Sequence, residues 1–255
     1  MPRFFGRILL IVACSTASYG AWAQGSFYVG PVAGGQGSSA YLAHTRVYRF
    51  RLLEEVVSGY HFGGVARYFN AYRDGIINSG IQVGGIYHQR GWKQFYLQID
   101  STDASNPLIT GGTALTRLNY FTVPVEAILY LGSEKNKIYA SAGLYLDFLV
   151  SARHAGDQPD PDLDFHEVDY FTYEEGRDPT FGYGFKGSLG YQRDIGPGAV
   201  MAEAYFSYGF SNLLVTENRA IEFPDISNHW AVGGRVGYLI KFGGRKPIIL
   251  EGESD

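Results

Sequence analysis

The stretch "GGRVGYLIKF" (residues 233–242) separates two ways of folding this chain. Alternate residues Gly234, Val236, Tyr238, Ile240 and Phe242 fall on one side, and Gly233, Arg235, Gly237, Leu239 and Lys241 on the other. A two-residue period with one apolar side marks a β-strand whose faces meet different surroundings. In a soluble protein the apolar side looks into a core and the cationic side into water. In a membrane the two assignments reverse.

Working outward, the same period recurs along the chain and predicts eight strands, near 26–36, 56–70, 76–90, 117–132, 137–153, 180–194, 199–214 and 228–242. No stretch carries a sustained helical apolar stripe. The connections alternate. "AYRDG" (71–75), "GSEKNK" (132–137) and "DIGPG" (194–198) are tight and built from turn residues, whereas 37–55, 91–116, 154–179 and 215–227 are long and polar. Short turns at one end and long loops at the other are how membrane β-barrels are built, with about 9–11 tilted residues crossing the apolar layer. The expected fold is all-β, an eight-stranded antiparallel up-and-down transmembrane barrel.

Parity sorts the strands into two unlike faces. One holds Tyr60, Phe62, Phe121, Val123, Val125, Leu144, Leu146, Phe148, Phe185, Leu189, Val200 and Phe206, with no ionised group. The other holds Arg67, Gln82, Glu126, Asp147, Lys186, Glu203 and Arg235 among Gly, Ser, Thr and Tyr. About one charge per strand is thin for a solvated surface. Three cations balance three anions, as expected if they pair inside a narrow lumen where an unpaired charge is costly. An eight-stranded barrel is just wide enough for side chains to fill it, so a plugged polar interior without an open pore is expected. Arg67, Glu126, Asp147, Lys186, Glu203 and Arg235 are the predicted lumen charge network.

Composition agrees. The chain of 255 residues has 34 Gly, 20 Tyr and 17 Phe but only 18% charged residues, a mix rich in strand and turn formers. Arg3 and Arg7, the apolar "ILLIVAC" and the A-x-A site Ala21–Trp22–Ala23 read as a signal peptide over 1–23. Beyond it, no segment reaches the roughly 20 continuous apolar residues of a spanning helix. The domain reading is therefore a signal peptide (1–23), a barrel (24–242) and a short periplasmic tail (243–255). Without 1–23 the chain has 19 Lys and Arg against 25 Asp and Glu, a net charge of −6, with no basic cluster of the kind nucleic acid requires. The single cysteine, Cys14, lies within the signal, which excludes a disulfide inside one mature chain. "IVAC" also has the form of a lipobox, leaving lipidation of Cys14 as an alternative to cleavage at the A-x-A site.

"FGGVARY" (62–68), "FKGSLGY" (185–191) and "VGGRVGY" (232–238) repeat an apolar–x–Gly–x–x–x–Tyr pattern, either as an echo between strands or as chance in a Gly- and Tyr-rich chain. On the first reading Tyr68, Tyr191 and Tyr238 end near one rim as an interfacial aromatic girdle.

"RVGYLIKF" resembles the assembly signal of bacterial outer-membrane proteins, with Arg235, Gly237, Ile240 and Phe242 in its four specified positions. "YFTVPVEAILYLG" (120–132) with "IYASAGLYLDFLVSAR" (138–153), and "GYGFKGSLGYQRDIGPGAVMAEAYFSYGFSNL" (182–213), resemble hairpins of the PorT-like outer-membrane β-barrel family. The resemblance covers residues 26–242. It implies an eight-stranded barrel in the outer membrane of a Gram-negative bacterium, with outer-membrane lipid and the barrel-assembly machinery as partners. The chain departs from the pattern in continuing past Phe242 with "GGRKPIILEGESD" (243–255).

Catalytic and cofactor signals are sparse. "DQPDPDLDFHEVDYFTYEEGRD" (157–178) holds nine acids and alternates Asp160, Asp162 and Asp164, but Phe165 and Phe171 stand where an EF-hand needs Gly and Glu. A solvated loop is the better reading, with weak divalent-cation binding as the alternative. His44, His61, His88, His154, His166 and His229 are scattered, and no nucleophile elbow, phosphate loop, zinc spacing or dinucleotide fingerprint is present. No cofactor, metal or catalytic residue is assigned. The expected function is a non-enzymatic outer-membrane barrel whose long loops serve surface interaction or envelope structure, with an unidentified extracellular partner. Two alternatives stay open: a secreted lipocalin-like binder with its aromatic face inward, and an outer-membrane enzyme acting on lipid.

Overall fold

A computed structural model describes residues 25–43, 51–72, 77–98, 108–156, 173–215 and 226–242. The expected signal peptide with Cys14, the 243–255 tail, His44, His166 and residues 157–172 of the acidic loop lie outside the described residues. Eight strands run β1 (Ser26–Ala43), β2 (Arg51–Phe69), β3 (Asn78–Gln98), β4 (Leu108–Gly132), β5 (Asn136–Gly156), β6 (Phe181–Ile195), β7 (Gly198–Gly209) and β8 (Ile226–Phe242). Each pairs antiparallel with its sequence neighbours, and β1 pairs with β8 to close the barrel. Closure leaves no sheet edge, so the ladder satisfies the backbone groups within the wall.

The period-two pattern decides which side faces out. Along β7, Met201, Glu203, Tyr205 and Ser207 are buried while Val200, Ala202, Ala204 and Phe206 are exposed. Along β8, Arg235 and Leu239 are buried, and Val236, Tyr238, Ile240 and Phe242 are exposed. Leu129, Leu144, Leu146, Phe121 and Phe185 likewise face outward. A lipocalin-like barrel needs the reverse, so the aromatic face of this chain does not enclose a ligand cavity.

Two tight turns have clear local causes. Ile195 and Gly198 are paired across the two-residue connection Gly196–Pro197, with Gly196 at φ 59°. Gly132, at φ 122°, opens the β4–β5 turn, where Ser133 N donates to Asn136 O at 2.7 Å. These positive φ values favour glycine.

At the other end, β1–β5 extend beyond the predicted strand limits. β3 and β4 stay paired up to Gln98 and Leu108, and β4 and β5 up to Ala114 and Gly156. Polar residues there read as loop, yet ladder pairing needs no apolar side chain. Conversely, β7 ends at Gly209 rather than near 214. Beyond Phe210, whose amide still donates to Tyr183 O at 2.9 Å, the chain leaves the wall and brings Leu213 and Leu214 over the barrel mouth, where with Tyr173 they pack with Ala40, Trp92, Leu118 and Tyr120. Asp178 ties the two covering segments together, accepting from Glu174 N at 2.7 Å and Val215 N at 2.8 Å.

Candidate functional site

The interior is a stack of polar side chains between two apolar plugs. The upper plug is the Trp92–Leu214 cluster at the mouth. The lower one comprises Tyr28, Phe69, Ile128, Tyr130, Met201 and Leu239, with the Phe69 and Tyr130 rings edge-to-face at 5.0 Å. Below it, Asp194 accepts from Tyr28 OH at 2.8 Å and Lys241 Nζ at 2.9 Å, and Lys137 Nζ lies 3.5 Å from its other oxygen.

Five of the six predicted network residues meet in the centre. Arg67, from β2, donates through Nη2 to Glu203 Oε2 and Tyr139 OH, each at 2.9 Å, through Nη1 to Gln192 at 3.1 Å, and through Nε to Gln82 at 2.5 Å. Lys186 Nζ bridges Glu126 at 2.8 Å and Glu203 at 3.2 Å. Arg235 Nη2 lies 2.7 Å from Glu203 and 3.8 Å from Glu126. Gln82 and Ser141 complete the shell of Glu126 at 2.8 and 2.6 Å. All these side chains are buried, and each carboxylate has several donors, the condition under which buried ions hold a unique arrangement.

The sixth, Asp147, does not join them. It sits nearer the mouth, paired with Arg90 at 2.6 Å, bonded by Thr122 Oγ1 at 2.5 Å, and 3.5 Å from His229 Nε2. The expected pairing of Asp147 with Arg67, Lys186 or Arg235 is therefore corrected: its cation is Arg90, the last residue of the predicted third strand. Between the two ion clusters, the His61 and His88 rings stack at 5.0 Å, and Tyr205 OH reaches Gln36 at 2.5 Å and His61 Nδ1 at 3.2 Å. Among the described residues, the middle of the lumen thus holds four cations against three carboxylates, rather than three against three.

Parity could have found the missed groups. Arg90 follows Gln82 and His88 at even spacing on β3, His61 shares a face with Arg67, and His229 and Lys241 share one with Arg235. Among the described residues no three His, Cys, Asp or Glu side chains converge as metal ligands.

The other predicted positions lie apart from this core. Arg235 points inward, whereas Ile240 and Phe242 point out. Gly237 packs so closely on β1 that a Cβ would stand 2.6 Å from Pro31 O. Tyr68, Tyr191 and Tyr238 occupy the outward side near the tight-turn ends of β2, β6 and β8, and Tyr191 OH donates to Asn136 at 2.8 Å. Phe27 and Phe242 join them across the closing seam, ring centres 6.4 Å apart. A second outward row of aromatics, Phe62, Tyr87, Phe121, Phe148 and Phe181, runs in register across β2–β6.

A closed antiparallel barrel with a greasy exterior and a neutralising ionic interior is built for hydrocarbon, and defines an integral β-barrel membrane protein. The chain belongs to the outer membrane protein beta-barrel domain family, a sequence model of which matches residues 22–215. Membership implies an outer-membrane location. Comparison with curated proteins gave no match. Among solved structures, the chain is similar to the outer membrane protein OprG from Pseudomonas aeruginosa, at 9% identity and TM-score 0.39, covering 87% of this chain and 97% of that one. It is similar to Ail, the attachment invasion locus protein of Yersinia pestis, at 12% identity and TM-score 0.35, covering 86% and 99%. The outer membrane protease OmpT from Escherichia coli follows at 5% identity and TM-score 0.38, covering 86% and 95%.

Proposed function

We propose that this protein is a non-enzymatic outer-membrane scaffold, with a lumen closed to solutes and long loops that carry its interactions outside the cell. The observation that supports this most is the central ion cluster. Arg67, Glu126, Lys186, Glu203 and Arg235 span the bore and bond to one another and to the buried neutral groups Gln82, Tyr139, Ser141 and Gln192. Such a cluster has no free acid–base pair to offer a substrate, and its groups are held in place by shared ion pairs and hydrogen bonds. Loops on a rigid frame are where recognition usually resides. The family reading narrows to a PorT-like member on the hairpins 120–153 and 182–213. Tyr68, Tyr191 and Tyr238 serve as interfacial anchors, and Arg235, Gly237, Ile240 and Phe242 as the signal read by the assembly machinery. Planar-bilayer recording of the purified, heat-modifiable protein tests the closed lumen. Silent membranes are expected. Large, stable unitary currents would overturn it.

A further inference from the structure

The outward surface of β3–β5 on the long-loop side changes character abruptly. Tyr87, Phe121 and Phe148 are cross-strand partners facing out. The next outward layer is polar: Asn119 Nδ2 donates to Ser151 Oγ at 2.8 Å, and Gln89 Nε2 to Asn119 Oδ1 at 3.4 Å. One layer higher, Arg117 and Arg153 stand directly opposite each other on β4 and β5. Lys93 lies one diagonal step away on β3, since Arg117 partners Gly91 and Leu115 partners Lys93. Thr116 and Leu118 beside Arg117, and Trp92 and Gln94 beside Lys93, are buried on the inward face, Ala152 beside Arg153 packs on the mouth cluster, and the three cations alternate with them on the outer side.

Like charges directly opposite on adjacent strands are destabilising. Local compensation is slight. Lys93 Nζ lies 3.5 Å from Glu55, Arg117 donates to the neutral Gln89 at 3.0 Å, and Arg153 meets no carboxylate among the described residues. Height is informative as well. From Phe121 to Arg117 the strand advances about 13 Å, or about 9 Å along the membrane normal at a tilt near 45°. Headgroup layers add about 5–7 Å to each side of the hydrocarbon, within the reach of long cationic side chains.

We propose that Lys93, Arg117 and Arg153 form a docking site for the phosphate groups of outer-leaflet lipid. The inference rests on the membrane reading above. Paired guanidinium groups fit phosphate bidentately, and an anion between Arg117 and Arg153 removes their repulsion. A lipid rather than free phosphate is the occupant because the cations lie two outward layers above Tyr87, Phe121 and Phe148, against which its acyl chains would pack.

The test uses full-length protein refolded in neutral detergent micelles, its folding verified by heat-modifiable migration. Bisphosphorylated lipid A, the same lipid after enzymatic dephosphorylation, and inorganic phosphate are titrated separately, with the thermal unfolding midpoint as readout. The phosphorylated lipid is expected to act at concentrations at least about tenfold lower than the dephosphorylated form. R117Q/R153Q, outward-facing substitutions that leave the lumen untouched, should abolish that preference, while R193Q on the opposite rim leaves it intact. Equal potency of the two lipids, a preference retained in R117Q/R153Q or lost in R193Q, or an equal effect of inorganic phosphate each overturns the proposal. A chain that is not heat-modifiable fails the membrane reading instead.

Discussion

Arg67 on β2 and Glu203 on β7 meet inside the barrel at 2.9 Å, and neither side chain is accessible to solvent. Residues 136 positions apart are joined there because closure of β8 on β1 brings β2 and β7 to facing sides of one lumen. Glu203 also faces Lys186 and Arg235, so one carboxylate serves three cations. Replacing it with Ala leaves Glu126 alone against all three. The expected loss is about 3–5 kcal/mol, as for other buried pairs broken from one side. Urea titration of the refolded protein in micelles reads this directly, and an unchanged midpoint would contradict a dry network.

Asp147 and Arg90 allow a sharper experiment because they form a nearly separate pair. Asp147→Asn alone strands the Arg90 guanidinium among Tyr120, Tyr145 and His229 and is expected to destabilise strongly. Changing both, as D147L/R90M, removes the two charges together and should recover much of that loss, since desolvation no longer has to be offset. A double variant as unstable as the sum of the two singles would mean that the pair is not coupled.

Much of this interior was legible in the sequence, and for a simple reason. Side-chain parity is a local property, so Arg67, Glu126, Lys186, Glu203 and Arg235 could be placed on one face without knowing the register. Which cation meets which anion is not local. Asp147 and Arg90 are 57 positions apart, and their contact depends on the offsets accumulated across β3, β4 and β5, including the irregularity at Asn119/Tyr120. The mouth was illegible for a related reason. Leu213 and Leu214 fall at the end of the predicted strand 199–214, but they turn inward to pack with Trp92 and Tyr120. An apolar residue satisfied by a plug and one satisfied by lipid look alike in sequence.

Closure of the barrel makes a prediction for β8. At Gly237 a Cβ would stand 2.6 Å from Pro31 O and 2.7 Å from Val32 Cγ1, whereas at Gly234 its nearest neighbour would be Glu203 O at 3.7 Å. Gly237→Ala should therefore push β8 off β1, with a cost of about 1–3 kcal/mol typical of overpacking. Gly234→Ala, on the outward side, should be tolerated. The fraction of chain that becomes heat-modifiable after refolding compares the two, and equal yields would count against a close-packed seam at Gly237.

Orientation itself can be read at a single pair of neighbours. Tyr205 and Phe206 are consecutive on β7, yet Tyr205 is buried beside His61 and Gln36 while Phe206 is exposed on the outer wall. The chain has three native tryptophans, so each probe is placed in a background with those replaced by Phe. In bilayers containing lipids brominated along the acyl chain, Phe206→Trp should be strongly quenched and Tyr205→Trp hardly at all. Water-soluble acrylamide should reach neither efficiently, since one faces hydrocarbon and the other a packed lumen. Quenching of Tyr205→Trp by the brominated chains, with Phe206→Trp spared, would mean that the apolar wall faces inward and that the ionic cluster is a surface rather than a core.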